Sequence, residues 1–132
     1  MALRMRTVSV KQLPETMNGQ QSRAFLRELE GFVSRQRPCV VLDCSRVRQM
    51  DRSAIHLLLC CLEEAMKRNG DVRLAAVPPH GRWVLERFGV DRLFSIFHTN
   101  QDAIDSFRQR ALYAQWHFGA SAGSHEVSQN AA

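Results

Sequence analysis

The chain has 132 residues, 45% of them hydrophobic, which suffices for one core and is too short for two ordinary domains. Its formal net charge of +5 suggests an anionic partner, but the arginines are scattered without interleaved aromatic residues, so we expect no nucleic-acid binding. It has no signal-peptide core and no apolar run long enough for a membrane span. We therefore expect a cytoplasmic protein without direct membrane insertion.

The first part of the chain predicts a strand followed by a helix. Residues 5–13 alternate in part and give the first full strand, whereas residues 2–5 leave room only for a short earlier strand or none. Asn18 and Gln21 form a capping-box pattern ahead of a helix that must end before Pro38. The apolar face of this helix comprises Phe25, Leu29, Phe32 and Val33.

The next segment is the most informative one. A short apolar, β-branched run over residues 39–42 predicts a buried strand that ends at Asp43. A loop containing Arg46 and Arg48 follows it, and Arg52 lies just beyond that loop. A basic loop of this kind is either simply solvated or a site for a phosphate, an anionic head group or an acidic partner.

A helix follows the basic loop, with Asp51 as its N-cap and Asn69-Gly70 as its stop. Its apolar stripe comprises Ile55, Leu58, Leu59, Leu62 and Met66. Ser53 therefore lies in the first turn of a helix. Unsatisfied N–H groups and the helix dipole favour negative charge there, so a phosphate on Ser53 would be well accommodated.

The rest of the chain alternates strand and helix again. A strand over residues 71–77 precedes a short helix over residues 81–88, and residues 90–97 give a turn and a last short strand. Thr99 or Asn100 caps the final helix. The buried stripe of this helix comprises Ile104, Phe107, Ala111 and Leu112.

This alternation predicts an α/β fold, with a mainly parallel or mixed sheet of four to five strands packed against about four helices. We expect a single domain over residues 1–118. Residues 119–132 carry almost nothing apolar and are enriched in Ser, Gly and Ala, so they cannot offset the entropy of ordering. They are predicted to be a disordered C-terminal tail.

Two features of the central segment carry a family resemblance. They are Asp43 at the strand end and the tetrad Asp51-Arg52-Ser53-Ala54. Together they resemble the signature of the STAS domain, in which a strand ending in Asp leads through a loop to Asp-Ser-Ser-Gly at the start of a helix. This domain is shared by sulphate transporters and bacterial anti-sigma factor antagonists.

Further segments extend the resemblance over most of residues 7–110. Gly70 follows the helix as in the family, LAAVPP stands where a strand and turn are expected, and FGVDRLFSIF resembles the family's "gl-lf-i" segment. Within the tetrad, Arg52 replaces the first serine and Ala54 the glycine. Ser53 keeps the position that is phosphorylated in the antagonists.

The resemblance implies an anti-sigma factor antagonist that is not an enzyme. Such a protein binds an anti-sigma factor and frees the sigma factor until the anti-sigma factor's serine kinase activity phosphorylates Ser53. The partner surface would comprise Asp51, Arg52, Ser53, Ala54, His56, Arg46 and Arg48. Two alternatives are an unphosphorylated STAS subunit that docks on the ATPase or permease of a bacterial lipid-transport ABC system, and a sensor that binds a nucleotide or another anion. We leave a homodimer open.

Other chemistry is less well supported. Asp51, Ser53 and His56 lack the nucleophile elbow and the oxyanion-hole segment of a serine hydrolase. His56 and Cys60, four residues apart and followed by Cys61, suggest a metal site, but no second ligand pair follows at finger-like spacing, so we expect no metal. No glycine-rich phosphate loop is present and we expect no cofactor.

The cysteines and tryptophans have a structural interpretation. The spacing of Cys39, Cys44, Cys60 and Cys61 does not match a disulfide framework, and we expect reduced thiols in the core. Trp83 and Trp116 lie in predicted helices, and we expect both to be half-buried packing residues.

Overall fold

The computed structural model describes residues 7–33 and 37–117, in which strands and helices alternate. The elements are β1 (Val8–Gln12), α1 (Gly19–Val33), β2 (Cys39–Asp43), α2 (Arg52–Met66), β3 (Asp71–Ala75), α3 (Pro79–Arg87), β4 (Ile96–Phe97) and α4 (Asn100–His117). A 3-10 turn, Val90–Arg92, connects α3 to β4. None of the described helices combines the length and apolarity needed to cross a bilayer.

The four strands form one sheet in the order β1-β2-β3-β4, and every pairing among the described residues is parallel. This confirms the α/β class with a four-stranded sheet and four helices. The antiparallel pairing that a mixed sheet requires is not found in this part of the chain, because a helical crossover rather than a hairpin joins each strand to the next. The predicted strand at residues 2–5 and the predicted tail at residues 119–132 lie outside the described residues.

Strand β2 divides the core into two clusters. Its side chains point alternately to the two faces of the sheet, and all five are buried. Val40 and Leu42 belong to the larger cluster, which includes side chains of α1, α2 and β3. Cys39 and Val41 belong to the smaller cluster, where they pack with Phe107 of α4 and its neighbours. Helices therefore cover both faces of the sheet.

A buried arginine fastens α4 to the smaller cluster. The guanidinium carbon of Arg73, in β3, lies 4.0 Å from the centre of the Phe107 ring, and the side chain is only 5% exposed. Its Nη1 donates a hydrogen bond to the Ser106 hydroxyl, and its Nε lies 3.6 Å from a carboxylate oxygen of Asp71. Burial of this cation is offset by contacts of this kind.

The start of α1 agrees with the prediction, whereas the start of α3 and the exposure of Trp83 differ from it. Asn18 and Gln21 exchange the reciprocal hydrogen bonds of a capping box before α1, as predicted. The next-to-last helix begins at Pro79, earlier than expected, because Pro78 is its N-cap and proline suits the first helical position. Trp83 is 60% exposed rather than half-buried, since α3 turns Gly81 and its Leu85 toward the core instead. The side chain of Trp116 lies outside the described part.

Helix α2 ends at Met66, three residues before the predicted stop at Asn69-Gly70. Asn69 adopts the left-handed conformation, with a φ of 60°, so this turn does not use the conformational freedom of Gly70. Gly70 is needed for another reason: a Cβ atom there would lie 2.2 Å from the backbone oxygen of Pro38. The close approach lets the N–H of Asp71 donate to that same oxygen at 2.9 Å. The glycine therefore holds the chain between α2 and β3 against the residue that precedes β2.

The core position of α2 yields a first prediction. Leu58 is fully buried, whereas Met66, which the sequence placed on the same stripe, is 61% exposed because the helix ends there. Leu58→Ala should lower the free energy of unfolding by about 2–5 kcal/mol through lost burial and a cavity. Met66→Ala should change it by less than about 0.5 kcal/mol. Urea denaturation measures both, and equal effects would contradict the assigned helix face.

Gly70 and Gly31, which have opposite surroundings, yield a second prediction. Gly70→Ala should cost about 1–3 kcal/mol, because the new methyl group collides with backbone that cannot easily move. Gly31 lies within α1, and in the described part of the chain a Cβ atom added there would meet nothing within 4 Å. Gly31→Ala should therefore stabilise the protein by about 0.5–1 kcal/mol. Thermal and urea unfolding of both variants should show opposite signs, and a stabilised Gly70→Ala variant would refute the close approach.

Candidate functional site

Asp43 anchors the site at the carboxyl end of β2. Its Oδ1 accepts a hydrogen bond from the N–H of Ser45 at 2.9 Å, and its Oδ2 accepts one from Nδ2 of Asn100 at 3.0 Å. Burial raises the pKa of Asp43, but the hydrogen bonds from Asn100 and Ser45 outweigh that effect and hold the pKa below its ordinary value. Asp43 is thus a carboxylate that joins the start of the basic loop to the start of α4.

The contact between Asp43 and Asn100 does not follow from the sequence, in which Thr99 and Asn100 are equivalent candidate caps of α4. In the structure Thr99 provides the cap, because its Oγ1 accepts a hydrogen bond from the N–H of Asp102 at 3.0 Å. This leaves the Asn100 amide free to reach across to β2. The sequence signal for this contact is weak, because it consists of an amide side chain next to another candidate cap, shortly after the last strand.

The basic loop has a buried side and an exposed side. Its apolar residues Cys44, Val47 and Met50 are buried. The N–H of Arg48 donates to the backbone oxygen of Glu15 at 2.9 Å, which ties the loop to the segment after β1. The side chains of Arg46 and Arg48 are exposed. The loop therefore presents its two arginines from a backbone that is held at both ends.

Helix α2 begins with the predicted cap. Asp51 has extended backbone angles, and its Oδ1 accepts a hydrogen bond from the N–H of Ala54 at 2.9 Å. Ser53 is the second residue of the helix and is exposed, as are Arg52 and His56. Ala54 is fully buried in the larger cluster, so its side chain supports the helix from beneath and cannot line a partner surface.

The segment that leads into Ser53 carries three arginines. Arg46, Arg48 and Arg52 are exposed, and none of them makes an ion pair with a carboxylate in the described part of the chain. The positive end of the α2 dipole adds to their field, whereas the Asp51 carboxylate opposes it. The helix dipole and Arg52, the neighbour of Ser53 in the chain, would both favour an anion at Ser53.

His56 does not form a catalytic pair with Ser53. Its Nε2 lies 3.5 Å from the Sγ of Cys60, one turn further along α2. Cys60 is only partly buried, which corrects the expectation of a core thiol. The expectation holds for the other three cysteines, Cys39, Cys44 and Cys61, which are buried and reduced. Burial raises the pKa values of the Cys44 and Cys61 thiols to about 12.

Metal coordination within one chain finds no support in the described residues, which contain no group of three or more His, Cys, Asp or Glu side chains able to hold an ion. The site that the fold assembles is therefore a surface: an exposed serine at a helix start, three exposed arginines and one histidine. Such a surface is suited to recognition of an anion or of an acidic protein.

Several solved structures are similar to this chain in fold. A Thermotoga maritima protein considered an anti-sigma factor antagonist is 18% identical over 76% of this chain and 87% of its own, with a TM-score of 0.66. An anti-sigma-factor antagonist (STAS) domain protein of Planctomyces limnophilus is 22% identical over 76% and 90%, with a TM-score of 0.63. The STAS domain of a SulP transporter from Vibrio cholerae is 18% identical over 76% and 80%, with a TM-score of 0.64.

These structures include antagonists and a transporter domain, so they share the fold without sharing one function. No curated protein matches the sequence significantly. The family model of the STAS domain matches residues 5–103, which include all four strands and the start of α2. The match spans most of the chain and agrees with the parallel sheet and the capped, serine-bearing helix: the chain belongs to the STAS domain family.

Proposed function

We propose that the protein is a cytoplasmic anti-sigma factor antagonist, without enzymatic activity, that binds an anti-sigma factor and is switched by phosphorylation of Ser53. The main support is the exposed Ser53 hydroxyl in the first turn of α2, at the position phosphorylated in antagonists. The partner supplies the kinase chemistry, and release of the partner from the antagonist changes which sigma factor is free to direct transcription.

The local electrostatics explain how phosphate would act as a switch. A phosphoryl group adds about −1.5 to −2 charges at pH 7. The helix dipole and Arg46, Arg48 and Arg52 can accommodate that charge, so the fold should survive it. The same arginines are the groups that an acidic partner would contact. Phosphorylation therefore both repels an acidic partner and draws the arginines into contacts within the chain.

The partner surface would consist of the exposed residues around the helix start: Arg46, Arg48, Asp51, Arg52, Ser53 and His56. Ala54 contributes from below by filling the core position under Ser53. The backbone of this surface is held in place, because Asp51 caps α2 and the N–H of Arg48 donates to the backbone oxygen of Glu15. A preformed surface of this kind loses little conformational entropy on binding.

One observation favours a second candidate function. Arg52 places a cation beside Ser53 where the family pattern has a serine, which alters the surface that a kinase must recognise. A STAS subunit of a lipid-transport ABC system would use the same surface to dock on an ATPase or permease without phosphorylation. An anion sensor would instead use the three exposed arginines to hold a nucleotide or another anion. Phosphate transfer to Ser53 separates the first function from both alternatives.

Phosphate transfer provides the direct test. The full chain is incubated with ATP and the histidine-kinase-like ATPase encoded nearest to its gene, and the product is examined by intact-mass and peptide mass spectrometry. We expect one phosphate, on Ser53, and none on a Ser53→Ala variant. Ser45→Ala is the matched control, because Ser45 is also exposed and precedes the same helix. Modification of another residue, or of the Ser53→Ala variant, would refute the assignment.

A charge substitution tests the effect on binding. Ser53→Asp should leave the melting temperature within a few degrees of the parent, because the helix start accepts negative charge. Its affinity for the anti-sigma factor, measured by calorimetry, should fall at least tenfold, about 1.4 kcal/mol. Ser45→Asp controls for the added charge alone. If Ser53→Asp binds as tightly as the parent, constitutive docking becomes the better account.

A further inference from the structure

We propose that His56 and Cys60 form half of a zinc site, which a second copy of this chain completes as a Cys2His2 site between two α2 helices. This inference goes beyond the proposed function and does not depend on it. It rests on three features of the exposed face of α2: the separation of the two donor atoms, their access from outside, and the charges on either side of them.

The separation of the donor atoms matches a chelate. A tetrahedral zinc ion bonds to sulfur at about 2.3 Å and to nitrogen at about 2.0 Å, which puts the two donors about 3.5 Å apart. The Sγ of Cys60 and the Nε2 of His56 are 3.5 Å apart. The residues are four apart on one helix, so their side chains share a face. An ion could therefore bind both without rearrangement of the backbone.

Access distinguishes this pair from the other cysteines. His56 is exposed and Cys60 is partly exposed, whereas the neighbouring thiol of Cys61 is buried. An ion and a second chain can reach the first two and cannot reach the third. Zinc at structural sites takes four ligands, and the described residues offer no third ligand beside this pair. A second copy supplies an identical pair.

The charges along α2 suit a two-fold, antiparallel arrangement. A two-fold axis through the ion passes level with residue 58, midway between the two ligands, so residues equally far on either side face each other across it. Arg52 of one copy then lies opposite Glu64 of the other, and Ser53 lies opposite Glu63. The first pairing joins opposite charges, and the symmetry repeats it on both sides of the ion. Within its own chain Glu64 also pairs with Lys67 and Arg68, and Arg52 of the second copy would join this group of charges.

The local field also favours a cation. Glu63 and Glu64 lie in the turn of α2 that follows Cys60, and their carboxylates attract a divalent ion. On coordination each Cys60 thiol loses its proton to solvent and binds as a thiolate, while each His56 binds through a neutral imidazole nitrogen. Zinc does not change its oxidation state in this step.

Sedimentation and metal titration test the site on the full chain, with a non-thiol reductant present throughout. Addition of zinc chloride should give one zinc per two chains and double the sedimenting mass, and a chelator should reverse both. Cobalt(II) in place of zinc should give the absorption bands of a tetrahedral ion bound to thiolate. The visible spectrum reports the ligands and the mass reports the second copy.

Three variants make the result decisive. Cys60→Ser and His56→Gln should each remain monomeric with zinc and lower the metal affinity at least tenfold, with melting temperatures unchanged without metal. His98→Gln, which alters an exposed histidine outside α2, should behave as the parent. Binding of one zinc per chain without dimerisation, a zinc-linked dimer that survives Cys60→Ser, or the absence of cobalt bands would each overturn the proposal.

Discussion

The burial of β2 on both faces is the constraint on which the rest of the structure depends. A parallel strand with neighbours on both sides must have helices above and below, since each face is apolar. This places α2 on one face and α4 on the other. It also fixes where the chain leaves the sheet: Asp43 is the last residue of β2, and the basic loop must run from there to the start of α2.

The parts of this arrangement that depend on local interactions could be predicted from the sequence. Strand β2 follows from a β-branched apolar run, and the start of α2 follows from a cap whose partners lie within three residues of Asp51. The hydrogen bond between Asp43 and Asn100 could not be predicted, because it joins residues 57 apart in the chain. Nor could the exposure of Trp83, Met66 and Cys60, since helical periodicity does not show where a helix leaves the core.

Neighbouring residues at the start of α2 have opposite roles. Ser53 is exposed and Ala54 is buried beneath it, so the family signature combines a surface requirement with a packing requirement. The core accommodates alanine in place of glycine at residue 54, and the exposed serine stays in place. The fold of the family therefore tolerates this replacement, and it does not by itself determine the partner.

The division of the core into two clusters gives the thiols separate roles as reporters of local opening. Cys39 lies under α4 in the smaller cluster, while Cys44 and Cys61 lie under α2 in the larger one. In the described part of α4, Ala103, Ile104 and Phe107 pack in the smaller cluster, and Arg73 and Asn100 add polar contacts, so local opening of this face would not require disruption of the larger cluster. Such local opening would expose Cys39 and leave Cys44 and Cys61 buried. The order in which these thiols react would therefore show which face of the sheet opens first.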